Sequence, residues 1–184
     1  MEVAPVTYER WDDLVALFTR PGPRGGKPVT NGCWCMFWRR EPAAFRRGWG
    51  GGNRAAMRRL VREGREPGLL AYADGEPVGW ISIAPREEFV RLERSRVLKR
   101  VAERPVWSVV CFYLHRDWRR RGVGSALLRG ALEYAREKGA EVVEAYGSKP
   151  TDEDPFTGLE SIFLDAGFEV VRRGGRRSIL RLAL

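Results

Sequence analysis

Val106-Trp107-Ser108-Val109-Val110-Cys111-Phe112-Tyr113-Leu114-His115, followed by Arg116-Asp117-Trp118-Arg119-Arg120-Arg121-Gly122-Val123-Gly124-Ser125-Ala126-Leu127-Leu128, is the stretch around which the chain is organised. Its first part is β-branched and aromatic, which predicts a buried strand. Its last part opens a long helix, with Leu127, Leu128, Ala131, Leu132 and Ala135 at helical spacing. Between them lies a basic turn containing Gly122 and Gly124, where the missing Cβ lets the backbone approach a ligand. The first N–H groups of a helix have no intrahelical partners and carry the positive end of its dipole. Strand, glycine turn and helix together predict a cradle for a pyrophosphate. The spacing is neither that of a P-loop nor that of a dinucleotide fingerprint.

Working outward, Leu69–Ala73 and Pro77–Ala84 flank Asp74-Gly75 and predict a hairpin. Gly79 inside the second strand suggests a bulge or a close contact. Earlier in the chain we expect a strand near Glu2–Thr7, a helix over Tyr8–Thr19 and a loop over Pro21–Pro28. Asn31–Arg40 holds the densest cluster of aromatic and sulfur side chains; together with Trp49 it is either core or one wall of a pocket. Gly50-Gly51-Gly52 predicts a break, with Asn53 capping a helix over Arg54–Gly64 whose arginines form a solvated face. Pro85–Arg94 is a charged turn or short helix. Beyond the central helix, which Gly139 should stop, a strand is expected over Glu141–Tyr146 and a polar loop over Lys149–Pro155. A helix capped by Thr157 and running to Ala166 then precedes two strands, Phe168–Arg172 and Arg176–Leu184.

The 184 residues suit one domain with one well-buried core. Hydrophobic content of 43% and charged content of 31% describe a globular chain. No apolar run approaches membrane-spanning length, and the start lacks the pattern of a signal peptide, so a cytoplasmic location is expected. Cys33, Cys35 and Cys111 are read as reduced thiols, and with His115 the sole histidine no metal site is expected. The net charge of +9 arises from 33 basic residues interleaved with 24 acidic ones. It favours an anionic ligand without choosing one. A nucleic-acid-binding protein, with Arg116–Arg121 on backbone phosphates, is one alternative.

The pattern Arg-x-x-Gly-x-Gly on Arg119, Gly122 and Gly124, with Trp118 before it, sits between the predicted central strand and helix. There the chain resembles the GNAT superfamily of acyl-CoA-dependent N-acyltransferases, most sharply from Trp107 to Phe168. The resemblance implies an α/β GNAT fold: a mixed central sheet of six to seven strands, flanked by helices and splayed at the central strand to hold CoA. It also implies direct transfer of an acetyl or other acyl group from acetyl-CoA to a primary amine, without a covalent enzyme intermediate. The aromatic N-terminal half hints at a small-molecule acceptor. By the same resemblance Tyr113 and Leu114 lie on the carbonyl side, while Arg119, Arg120, Arg121, Gly122, Val123, Gly124 and Ser125 hold the pyrophosphate.

Two positions depart from the family. Phe163 stands where many members have a tyrosine that protonates the leaving thiolate, and Phe156 where many have an asparagine that contacts the cofactor. The substitutes for proton transfer are Tyr146, Tyr113 and Glu88, with Cys111, His115, Glu87 and Glu160 behind them. The missing tyrosine keeps a second alternative open, an acyl-CoA-binding sensor without turnover. The oligomeric state, a homodimer included, is open as well.

Overall fold

The computed structural model describes residues 1–22, 26–28, 30, 32–149 and 155–184. The expected polar loop over Lys149–Pro155 lies mostly outside the described residues, as do Asn31 and part of the Pro21–Pro28 loop. Seven strands form one open mixed sheet: β1 (Glu2–Pro5), β2 (Leu69–Ala73), β3 (Glu76–Pro85), β4 (Trp107–Leu114), β5 (Val142–Ser148), β6 (Glu169–Arg172) and β7 (Arg177–Ala183). Their order is β1-β2-β3-β4-β5-β7-β6. All neighbours run antiparallel except β4 and β5, which are parallel because helix α5 (Val123–Glu137) crosses over between them. The expected mixed sheet of six to seven strands is therefore what the chain forms.

Side-chain alternation divides the core into two layers. One face of the sheet carries Ile81, Ile83, Val109, Phe112, Val143 and Ala145 against Leu127, Leu128 and Ala131 of α5. Phe163, from helix α6 (Glu160–Asp165), joins that layer. The other face carries Leu70, Trp80 and Tyr113 against α1 (Trp11–Thr19), the Trp34–Met36 segment and Met57 and Val61 of α3 (Gly51–Arg62). Two further short helices, α2 (Pro42–Arg47) and α4 (Val90–Glu93), complete that side.

The hairpin turns at Asp74 and Gly75, with φ of 51° and 78°, the left-handed pair that Asp-Gly supplies. Gly79 meets both expectations. Val78 is the extra residue of a bulge, since Ala71 faces Gly79 while Tyr72 faces Pro77. A Cβ on Gly79 would also lie 2.8 Å from Val123 Cγ1, so α5 packs directly on that backbone.

Several boundaries differ from expectation. α1 starts at Trp11 rather than Tyr8. Helix α2 carried no periodic signal because it is only six residues long. α3 starts at Gly51, with Gly50 at φ 81° before it, so the glycines begin the helix instead of interrupting it. Asn53 lies inside that first turn and is buried. Its Nδ2 donates to Gly32 O (3.0 Å) and Phe45 O (3.3 Å), and its Oδ1 accepts from Arg40 Nη1 (2.8 Å). The side chain ties three segments together, which leaves it no capping role. Thr157 likewise caps nothing: it accepts from Arg177 Nε at 3.2 Å, and α6 starts at Glu160. Among the described residues no helix is long and apolar enough to cross a membrane.

Candidate functional site

The site starts from an interrupted ladder. β4 and β5 pair only through Trp107–Val143, Ser108–Glu144 and Val109–Ala145, although the strands run on to Leu114 and Ser148. The divergence begins where β4 carries an extra residue. Ser82 of β3 faces Cys111 and Ile83 faces Val109, so Val110 is bulged. Past the bulge β4 stays on β3, with His115 N–H donating to Val78 O at 2.9 Å. Antiparallel alternation then turns the backbone polar groups of Tyr113 and His115 toward β3. Those of Phe112 and Leu114 are left facing the gap toward β5.

The turn after β4 shapes the mouth of this gap. Arg116–Trp118 form one 3₁₀ turn, Arg119 is extended, and Arg120 and Gly122 take left-handed φ of 58° and 76°. The first helical bond of α5 runs from Ala126 N to Gly122 O (3.0 Å), so the N–H groups of Val123, Gly124 and Ser125 have no partner within the helix. Arg119, Arg120 and Arg121 are exposed around them, and Arg119 Nε lies 3.5 Å from Leu114 O. Val123 and Gly124 are buried against the sheet while Ser125 is exposed. Positive side chains, a helix N-terminus and left-handed backbone thus converge at one end of the gap.

Behind the mouth lies a cleft of about 470 Å³. It is lined by Phe112, Tyr113, Leu114, Arg119 and Gly124, and across from them by Phe156, Gly158, Leu159, Ser161 and Ile162. The lining is largely apolar, with the arginine at one end, which suits an extended ligand that is apolar in the middle and anionic at one terminus. A Cβ on Gly124 would already touch Ile162 Cδ1 at 3.0 Å.

The candidate proton-transfer groups are dispersed. Tyr113 lines the cleft, and its ring packs edge-on to Phe18 at 6.0 Å. Burial pushes its phenol up, with Arg119 and Arg20 opposing. Tyr146 is fully buried and is not among the cleft-lining residues. Its hydroxyl meets Arg86 Nη1 (2.7 Å), Ser108 Oγ (2.9 Å) and Glu144 Oε1 (2.7 Å). Burial and then Glu144 push that phenol well above 10. Glu88 pairs with Arg39, and with Arg65 at 2.9 Å. Burial works to raise its pKa, but the two guanidiniums outweigh it and hold the carboxyl below its ordinary range.

Glu87 and Glu160 are also ion-paired, to Arg100 (2.6 Å) and Arg173 (3.3 Å). His115 is buried, and burial together with Arg20, Arg116 and Arg119 lowers its pKa despite Asp117 at 3.5 Å. Phe163 is fully buried, its ring 5.9 Å from Phe112 and 5.4 Å from Phe168. Among the described residues no group of three or more His, Cys, Asp or Glu side chains is arranged to hold a metal ion.

Sequence reasoning did not single out Gly158, Leu159, Ser161 or Ile162 as site residues. Gly158 and Leu159 lead into α6 and Ser161 and Ile162 lie in its first turn, where the only local signal is a lone glycine before a short helix. It also missed Arg86, which is fully buried and joins Glu144 (2.6 Å), Glu93 (2.7 Å) and the carbonyls of Leu92 and Leu98.

The fold has counterparts in solved structures. PaiA N-acetyltransferase from Thermoplasma acidophilum, in complex with coenzyme A, is 14% identical with a TM-score of 0.56, over 100% of this chain and 98% of that one. Polyamine N-acetyltransferase from Drosophila melanogaster is 12% identical with a TM-score of 0.59, over 100% and 99%. The GNAT domain of S. lividans PAT is 18% identical with a TM-score of 0.54, over 99% and 89%. At these identities the likeness is one of fold. No curated protein matches by sequence. The model of the acetyltransferase (GNAT) family matches residues 31–154, which span the N-terminal aromatic segment, the hairpin, the central strand, the arginine–glycine turn and β5. The chain belongs to the acetyltransferase (GNAT) family.

Proposed function

We propose that this acyltransferase moves an acetyl group from acetyl-CoA directly to a primary amine of a small-molecule acceptor. The observation that carries the reading is the gap opening past Val109 and Ala145, with the arginine-rich helix start at its mouth and an apolar cleft behind. The N–H groups of Val123, Gly124 and Ser125 hold the pyrophosphate, helped by Arg119, Arg120 and Arg121. The left-handed backbone at Gly122 aims the helix start at it. Phe112, Leu114 and Ile162 cover the apolar arm. The cleft-facing amides next to Tyr113, at Phe112 and Leu114, hold the arm and polarise the thioester carbonyl. When bound, acetyl-CoA supplies an activated acyl group on a thiolate leaving group.

The amine attacks the carbonyl after losing its proton to water, and the C–S bond breaks to release CoA. Tyr113 is the side chain assigned to protonate the departing thiolate, because burial keeps its phenol in the acid form. Tyr146 and Glu88, already held by Arg86 and by Arg39 and Arg65, position strands and loops instead of moving protons. The solved structure named a polyamine N-acetyltransferase supports an amine acceptor. A second reading, a binder without turnover, draws on Phe163, whose position offers no hydroxyl.

The test is calorimetric titration of acetyl-CoA into the wild type and Gly124→Trp, followed by a thiol-release assay over a panel of amines. Binding that is lost in the folded variant, with release of free CoA for at least one amine, is the expected result. Binding without release from any amine would favour the sensor. No binding by folded wild type would overturn both.

A further inference from the structure

Residues 39–65 hold nine arginines against two carboxylates, Glu41 and Glu63, so most of the chain's net charge of +9 lies in this stretch. Glu41 is taken by Arg94 at 2.6 Å, and Glu88 takes Arg39 and Arg65. Arg46 and Arg47 of α2 and Arg54, Arg58, Arg59 and Arg62 of α3 are all exposed. Among the described residues none of these six pairs with a carboxylate. Arg54, Arg58 and Arg62 recur every four residues, a spacing at which like charges destabilise a helix. A bound polyanion relieves that repulsion.

Two of the guanidiniums are held in place. Arg54 lies over the ring of Trp34, 5.3 Å from its centroid, and Arg58 over Trp11 at 6.0 Å. Those two buried indoles stack on each other at 6.1 Å. A guanidinium over an indole still has N–H groups to give to phosphate oxygens. Further along the helix, Ala55, Arg58, Arg59, Arg62 and Glu63 border a shallow groove of about 630 Å³.

Trp49 stands beside this stripe, 62% exposed and two residues before α3 begins. Its indole is seated on Gly32, where a Cβ would fall 1.9 Å from Cε2, and edge-on to Phe45 at 5.6 Å. Gly50 N–H donates to Gly32 O (3.0 Å), and two residues beyond Gly32 is Trp34, beneath Arg54. One short segment, Gly32–Trp34, therefore carries both the exposed indole and the first arginine of the stripe. A fixed aromatic platform beside a row of guanidiniums is the combination that grips single-stranded nucleic acid, with bases on the ring and phosphates on the cations. A membrane-binding helix instead needs a free apolar face, and that of α3, Met57 and Val61, is buried in the core.

We propose that α2, α3 and Trp49 form a docking surface for single-stranded nucleic acid, with a base stacked on Trp49 and backbone phosphates on Arg54, Arg58 and Arg62. It is built from different elements than the Arg119–Arg121 turn assigned to acetyl-CoA, and it stands whether or not the cleft turns over.

The test is fluorescence anisotropy of labelled oligouridylate and oligothymidylate strands of equal length, titrated with the full-length chain over a series of salt concentrations. Binding is expected, with log Kobs falling against log salt at a slope of about −3 to −4, as about four to six neutralised phosphates require. The tighter of the two strands identifies RNA or DNA as the source. Arg58→Gln with Arg62→Gln should reduce the slope by about 1.4. Trp49→Ala should weaken binding at least about fivefold and leave the slope unchanged. Excess acetyl-CoA should not displace the strand. These variants change exposed side chains, and circular dichroism checks that they fold. Wild type that binds neither strand at low salt would overturn the proposal, as would binding only to phosphatidylserine vesicles. So would displacement by acetyl-CoA, a Trp49→Ala variant with unchanged affinity, or an Arg120→Gln/Arg121→Gln variant that weakens binding as much as the α3 pair.

Discussion

Val109 and Ala145 are the last residues to pair across the parallel ladder, and the two strands part at the very next position of each. The bulge at Val110 and the pairing of β5 with β7 along its whole length account for the parting. Each strand keeps its outer partner and gives up the shared one. The backbone groups released on β4 are those left to meet a ligand.

Gly122 and Gly158 separate two effects of adding a methyl group. At Gly122, with φ 76°, a Cβ meets no atom within 4 Å, so Gly122→Ala should cost only the left-handed backbone penalty of about 1–2 kcal/mol. Urea denaturation measures it. Acetyl-CoA affinity should fall too, since relaxing this residue re-aims the start of α5.

Gly158→Ala should be worse. Its φ is 90°, and the new Cβ would lie 2.9 Å from Phe163 Cζ and 3.0 Å from Phe112 Cε2. Overpacking adds to the backbone penalty, for a loss of about 2–4 kcal/mol by the same denaturation experiment. A variant as stable as Gly122→Ala would show that α6 shifts freely.

Glu144 is fully buried and holds two guanidiniums, Arg86 at 2.6 Å and Arg181 at 2.8 Å. Glu144→Ala leaves Arg86 inside the protein with its main partner gone, so a loss of about 3–5 kcal/mol is expected in chemical denaturation. Tyr146→Phe removes a hydroxyl from the same group and should cost less, about 1–3 kcal/mol. If Tyr146 only braces the sheet, acetyl transfer by the folded Tyr146→Phe variant should stay within a few-fold of wild type at saturating substrates.

The Glu88 carboxyl has its folded pKa held below the ordinary value of 4.5. A depressed carboxylate contributes its stability above the unfolded value and loses it as pH falls through the folded one. Wild type should therefore be more stable than Glu88→Gln at neutral pH. The gap should close as the pH drops below about 4.5, which thermal melts at stepped pH will show.

The central strand, its arginine–glycine turn and the Asp74-Gly75 hairpin were legible because each is a local pattern with a backbone reason behind it. The turn at Gly122 and the start of α5 follow from residues that are neighbours in sequence. What was not legible depends on distant partners. Asn53 has the chemistry of a cap, but its amide goes to Gly32, Phe45 and Arg40. Tyr146 has a hydroxyl at a strand end, yet only the position of Arg86, sixty residues away, shows that the hydroxyl is already engaged. α2 is too short to display a helical period, and the far wall of the cleft around Gly158 and Ile162 carries no motif. Val110 is the subtlest miss, since a bulge inside an unbroken β-branched run leaves no trace in composition.

That extra residue puts β4 out of phase with itself. Trp107 and Val109 share a layer with Phe112 and Leu114, although three residues separate the two halves where strict alternation would use two. Val110 and Cys111 consequently both look toward the other layer. The strand behaves as two short rulers offset by one mark: the first sets the grip on β5, and the second sets what faces the cleft. Sequence change on one ruler can retune the ligand surface without disturbing the joint that the other maintains. A one-residue deletion at the offset would restore strict alternation, leaving Phe112 and Tyr113 in their layers but removing the bulge at which β4 parts from β5.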